Sequence, residues 1–274
     1  MNKSEETLTH AELISRSWQE IKGRFAPFML LACIAPAFSW LIAGLAFGLD
    51  PMTQSAAQQQ HPLLMLLVSL LSALVGSYGT AALILFICKR TDTPWQALQT
   101  AWHPFLRLFG GGLLMSVGMS AALMLLGILL GGAVYLLGAP EVLYLFILLF
   151  LFLCAGVLMV YFCLLPYLLV LTDIPVLSCF SAAFHLVKGR FWFTLGLLFL
   201  VGLISFGITM AAGIALSIFV TVFSLVSGLL AGILSFVWIP VAGLIVLIVQ
   251  VPMLALYLDR VSIHQAPQET ADGQ

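Results

Sequence analysis

From residue 191 to 258 the chain runs 68 residues without a single Asp, Glu, Lys, Arg or His. As one helix this run would be about 100 Å long at roughly 1.5 Å per residue, against a bilayer hydrocarbon core about 30 Å thick. Two tilted or kinked helices fit, turning near 224–228, with Pro240 and Pro252 inside the second. The rest of the chain has the same character. Of 274 residues, 62% are apolar and 8% charged, where an ordinary soluble domain has about 25% charged residues. That composition excludes a water-soluble globule and makes the bilayer the solvent of the fold.

Four earlier apolar stretches have the length of a span: about 25–49, 63–88, 105–137 and 142–171. Polar segments separate them. These are a Gln-rich loop from Asp50 to Pro62, the run Lys89-Arg90-Thr91-Asp92, a tight turn Gly138-Ala139-Pro140-Glu141, and Thr172-Asp173. Pro36 interrupts the first span and predicts a kink there. Gly110-Gly111-Gly112 opens the third, where helix geometry is least secure. The first 24 residues are polar and helix-patterned, unlike a secretory signal. Residues 1–262 read as a single six-span membrane domain, and 263–274 as a disordered cytoplasmic tail.

A short pattern stands before the first, third and fifth spans. It reads Trp18-Gln19-Glu20-Ile21-Lys22-Gly23-Arg24-Phe25, then Trp102-His103-Pro104-Phe105-Leu106-Arg107-Leu108-Phe109, then Phe184-His185-Leu186-Val187-Lys188-Gly189-Arg190-Phe191. The second copy lacks the Lys-Gly-Arg triplet. Read at helical spacing, Ile14, Trp18, Ile21 and Phe25 share a face, as do Leu98, Trp102, Phe105 and Phe109, and Phe180, Phe184, Val187 and Phe191. An aromatic stripe, a polar face with basic residues and a span directly afterwards predict helices lying in the membrane interface, over about 10–24, 94–103 and 175–190. The alternative is that each is a cytosolic extension of a span. Thr9-His10-Ala11-Glu12 fits a capping box, and Thr93 followed by Pro94 fits an N-cap with proline at the first helical position.

Each unit is thus an interfacial helix, a span, an outer turn, a second span and an exit Asp (Asp92, Asp173, Asp259). The predicted fold is an all-α integral membrane protein of six transmembrane helices. They form three parallel repeats of interfacial helix plus hairpin, about 10–92, 93–173 and 174–259. All ten Lys and Arg fall on one side of this arrangement, so the positive-inside rule places both termini in the cytoplasm.

Chemistry is sparse. The span interiors hold no ionisable acid or base, which argues against a proton relay, an ion site or an intramembrane catalytic dyad. Ser116, Ser120, Thr209, Ser205, Tyr78 and Gln250 are expected to hydrogen-bond between helices. Cys33, Cys88, Cys154, Cys163 and Cys179 show no metal-ligand spacing and read as small packing residues. His103 and His185 occupy equivalent places and read as solvated interfacial residues; a metal site from His61, Asp50 and Glu141 is the weaker alternative. No phosphate loop, catalytic triad or zinc motif is present, and nothing points to a nucleic acid or a cofactor. The small-residue pairs Gly44/Gly48, Gly127/Gly131 and Gly228/Gly232 predict close helix packing within the chain. The best functional lead is basic. Lys22, Arg24, Arg107, Lys188 and Arg190, with Trp18, Trp102 and Trp192, are candidate contacts for lipid headgroups; the plainer reading is that they only fix topology.

Thr172-Asp173 preceded by Pro166, then Phe184 through Lys188-Gly189-Arg190-Phe191-Trp192, resembles the uncharacterised YciC-type family of bacterial inner-membrane proteins. That family is related to the membrane domain fused to some glycerophosphodiester phosphodiesterases. The likeness covers nearly the whole layout. In such families a Ser often precedes the aromatic anchor; Ser17 agrees, whereas Ala101 and Ala183 depart. The resemblance implies a bacterial inner-membrane protein and brings no activity with it. The expected function is a non-enzymatic membrane protein that binds lipid or a partner and has a role in membrane organisation. The alternative is a transporter of a lipid or small molecule through the space between hairpins.

Overall fold

The computed structural model describes residues 22–47, 62–88, 90–136, 140, 142–224 and 236–271, with positions 12, 15, 18 and 19. Among them are eight helices and no strand: α1 Phe25–Phe47, α2 Pro62–Ile87, α3 Pro94–Leu136, α4 Val142–Phe162, α5 Leu165–Leu171, α6 Val176–Val187, α7 Phe191–Ser224 and α8 Trp238–Ala271. The fold is all-α. Six segments are long and apolar enough to cross a membrane: α1, α2, α3, α4 with α5, α7 and α8. Positions 12, 15, 18, 19 and 22 are helical. The expected capping box at Thr9, the loop from Asp50 to His61, Gly138, Ala139, Glu141 and the turn after Ser224 lie outside the described residues.

Three boundaries differ from the sequence reading. The second amphipathic segment is not a separate interfacial helix. It is continuous with the third span, in a helix of 43 residues with Pro104 inside it. The copies differ five residues after the aromatic anchor. Turns occur at Gly23-Arg24 and at Lys188-Gly189, whereas the corresponding residue after Trp102 is Arg107. Gly189 takes φ +94°, a conformation costly for an arginine, and Arg107 stays helical. The fourth span, conversely, is not continuous: a turn at Cys163-Leu164 separates α4 from α5. Pro166 stands at the start of α5; it lacks an N–H, and its ring conflicts with the carbonyl of Phe162, the last residue of α4. α8 carries on to Ala271, past the point where composition predicts a disordered tail.

The chain forms two compact units, Met1–Leu106 with Leu197–Gln274, and Arg107–Gly196; their borders fall inside α3 and α7 rather than at the borders of the expected repeats. In the first unit α1 packs on both α2 and α8. The approach to α8 is very close: a Cβ on Gly243 would meet Cys33 Sγ at 2.6 Å and the Cys33 backbone nitrogen at 3.3 Å. On the α2 side, Gly79 faces Ala35. Small residues of this kind let apolar helices gain dispersion contacts in lipid, where no hydrophobic effect drives them together. α2 is buried at seven successive positions, Ala81 to Ile87, next to the basic loop; a helix apolar all round at its end suits burial on every side. Phe28 meets Phe86 edge-on at 5.0 Å.

In the second unit α6 packs on α4 and α5. Gly127 and Gly131 of α3 receive Leu151 and Tyr144 of α4, with contacts from an added Cβ at 3.3 and 3.9 Å. This pair therefore packs within the chain, as its spacing predicts. Gly111 lies under Leu169, whose Cδ1 would be 2.5 Å from an added Cβ.

Candidate functional site

The third basic segment forms an elbow. α6 ends at Val187, and Lys188 leaves the helix with φ −58° and ψ 128° while its N–H donates to the Phe184 carbonyl at 3.0 Å. Gly189 then takes φ +94°. An added Cβ there would touch nothing within 4 Å, so the glycine serves the backbone angle and not space. α7 restarts on Arg190, whose carbonyl accepts from the Thr194 N–H at 3.1 Å and the Thr194 hydroxyl at 3.3 Å. Thr194 is fully buried and fully satisfied. On the outside of the elbow Lys188 is exposed, Arg190 half-buried, and Trp192 80% exposed. Underneath, Tyr161 stacks on Phe184 at 4.6 Å and meets Phe191 at 5.3 Å. The first basic segment has a related start, since the Arg24 carbonyl accepts from Phe28 N–H at 3.3 Å. Lys22, Arg24 and Trp18 are exposed there.

Arg107 is different. Its guanidinium donates to the Thr172 carbonyl at 2.6 Å and to the Ile174 carbonyl, and stands 3.6 Å from Asp173. Its side chain is 28% exposed. The fork of the guanidinium spans the loop that joins α5 to α6, and it closes the C-terminus of α5, where a cation is favoured. Arg107 is therefore a clamp on this loop rather than a cation held out to lipid. The Asp173 carboxylate does not cap α6, whose N-cap is Pro175 with no side-chain bond.

The apolar stripes of the amphipathic segments are buried only in part, at Phe105 and Val187. In α3 the buried residues are Ala97, Ala101, Phe105 and Leu108, while Trp102 is 62% exposed. In α6 they are Cys179, Ala183 and Val187, all fully buried, while Phe184 is partly exposed. Hydropathy alone favours the large rings as the core. Close approach of the helices instead selects the small residues, and the rings settle on the flanks. The residue before each anchor, Ala101 or Ala183, is fully enclosed, which explains why a small side chain stands there.

A groove lies in the first unit. The start of α3 is fixed by the predicted cap: the Gln96 N–H donates to Thr93 Oγ1 at 3.3 Å, and the Gln96 side chain accepts from the Asp92 N–H at 3.3 Å. From there Trp95, Leu98, Gln99, Trp102 and Phe105 of α3 face Leu74, Val75 and Tyr78 of α2. Ile34 and Phe38 of α1 complete the wall around about 500 Å³. Tyr78 donates its hydroxyl to the Leu98 carbonyl at 2.5 Å. Its ring meets Phe105 at 5.6 Å and Trp102 at 6.5 Å, both edge-on. Sequence reasoning placed Trp102 among the headgroup contacts but did not foresee the groove, because Trp102 and Tyr78 are 24 residues apart and meet only through the α2–α3 hairpin.

Tyr78 thus bridges helices, as expected of the polar groups in the spans. Ser116 and Thr209 do not: their hydroxyls donate to the carbonyls four residues back, of Gly112 and Ser205. This local bond is always within reach in a helix. His103 and His185 are exposed, and no group of three or more His, Cys, Asp or Glu suited to a metal ion occurs among the described residues. Glu141, His61 and Asp50 lie outside them. Comparison of the chain with family models, with curated proteins and with solved structures finds no match.

Proposed function

We propose that this is a non-enzymatic multi-pass protein of the bacterial cytoplasmic membrane, of the YciC type, which binds anionic lipid at its basic end and organises the membrane around it, with both termini cytoplasmic. The observation that carries the proposal is the elbow between α6 and α7. Lys188 and Trp192 are exposed on either side of a left-handed glycine at the point where an amphipathic helix gives way to a span. An indole settles at headgroup level, and a Lys or Arg beside an anionic leaflet contributes about 1 kcal/mol of attraction. Arg107, held by backbone carbonyls, is left out of this role, and Lys22, Arg24 and Trp18 supply a second exposed group of the same kind. The test is Lys188→Gln with Arg190→Gln, purified beside the parent in mild detergent, with bound lipid quantified by mass spectrometry. Two charges at about 1 kcal/mol each predict a loss of retained phosphatidylglycerol and cardiolipin approaching thirtyfold. Equal retention sinks the proposal and leaves these residues as topology signals.

A further inference from the structure

We infer that the groove between α1, α2 and the first turns of α3 holds one fatty-acyl chain of a membrane phospholipid, whose ester end is received by Gln99 and by the indole N–H groups of Trp95 and Trp102. The inference rests on the membrane placement proposed above but not on the basic elbow, which belongs to the other compact unit.

Three observations choose the occupant. First, all three walls, α1, α2 and α3, belong to segments of membrane-spanning length and apolarity, so in the proposed placement hydrocarbon and not water surrounds the groove. An open apolar groove of about 500 Å³ leaves its walls without partner atoms, and in a bilayer the material at hand to fill it is an acyl chain. That volume suits one long chain and not a whole diacyl lipid. Second, no Lys, Arg or His is among the described residues that line the groove. A free fatty acid would bring a carboxylate with no cation to meet it, whereas a phospholipid leaves its charge at the headgroup and presents only ester and glycerol oxygens to the protein. Third, the polar equipment is all donor-capable and lies on one helix. The Tyr78 hydroxyl is engaged with Leu98. Gln99 is exposed, and Trp95 and Trp102 are 67% and 62% exposed. Trp95, Gln99 and Trp102 follow one another at steps of four and three along α3, so they form a single stripe beside the apolar walls. An indole joins an apolar ring to one N–H donor, which suits the junction of chain and headgroup.

The experiment uses the full chain in vesicles of phosphatidylethanolamine and phosphatidylglycerol, doped with a phosphatidylglycerol that carries a diazirine at the middle of one acyl chain. After irradiation, labelled peptides are mapped by mass spectrometry. Labels on 34–38, 74–78 and 95–105 are compared with labels on 142–159, an exposed apolar stretch of α4 that reports ordinary surrounding lipid. In the parent, labelling of the groove exceeds that of α4. Phe38→Trp combined with Leu74→Trp and Val75→Trp narrows the groove and lowers its labelling toward the α4 level. Gln99→Leu with Trp102→Phe keeps the shape but removes donors, and each lost hydrogen bond lowers groove labelling about fivefold. Groove labelling that stays level with α4 in the parent overturns the inference, as does labelling that neither variant changes. Competition by palmitic acid at equal mole fraction overturns it in favour of a free fatty acid. The Lys188→Gln/Arg190→Gln protein, run in parallel, keeps its groove labels; loss of its retained anionic lipid alone separates the two readings.

Discussion

Replacing Arg107 tests whether a single guanidinium sets the path of the chain into α6. Its two bonds to the Thr172 and Ile174 carbonyls are charge-assisted, a class that contributes about 1.5–3 kcal/mol each. The side chain is partly exposed, so the lower end of that range applies, and Arg107→Leu is expected to destabilise the protein by about 3 kcal/mol. Arg107→Lys keeps the charge but replaces a two-pronged fork with a point, which can satisfy one carbonyl well; about half the loss, ~1.5 kcal/mol, is expected. Asp173 is fully exposed at 3.6 Å, and Asp173→Asn is expected to be neutral. Equilibrium unfolding by sodium dodecyl sulfate in mixed micelles, followed by far-ultraviolet circular dichroism, ranks the three variants. Hydrogen exchange locates the effect, because the Cys179 N–H, which bonds the Pro175 carbonyl at the start of α6, should lose protection in Arg107→Leu. If Asp173→Asn costs as much as Arg107→Leu, the ion pair and not the carbonyl clamp holds the loop. If Arg107→Lys matches the parent, the fork geometry is irrelevant.

Two further outcomes are expected. Gly189→Ala forces a left-handed conformation on an L-residue and should cost about 1–2 kcal/mol by the same unfolding assay, whereas Gly23→Ala, in open space and outside the left-handed region, should stay within about 0.5 kcal/mol; equal effects would show that the backbone angle is not what Gly189 supplies. In a cysteine-free background a Cys at position 58 should react with an impermeant thiol reagent in intact cells and a Cys at position 268 should not, as the positive-inside reading of the sequence predicts; the reverse pattern would invert the membrane orientation.

What the sequence made legible was governed by the solvent. The start of α1, the end of α2 and the start of α7 fall within a residue or two of where polar and apolar runs meet, because lipid and water sort those runs directly. The cap at Thr93 with Pro94 behind it was legible too, since one hydroxyl and one imino acid decide it locally. Packing was not legible in the same way. Ala101 and Ala183 outrank Trp102 and Phe184 as core residues, and this depends on how near the neighbouring helix comes. The break at Cys163-Leu164 was signalled by Pro166, but Pro36, Pro104 and Pro252 lie inside helices that continue, so proline alone does not say which will break. The groove needed Tyr78, Trp95 and Trp102 to be brought together by a hairpin, and no local spacing encodes that meeting.

Gly23, Arg107 and Gly189 each stand five residues after an aromatic anchor. A glycine codon and an arginine codon can differ in their first base alone. One nucleotide therefore lies between the residue type that stands at the turn before α7 and the one that stands inside a helix of 43 residues. The same substitution adds or deletes the guanidinium that grips the Thr172 and Ile174 carbonyls. Arg107→Gly would abolish that grip at equal chain length, in a helix that already runs unbroken through Gly110, Gly111 and Gly112.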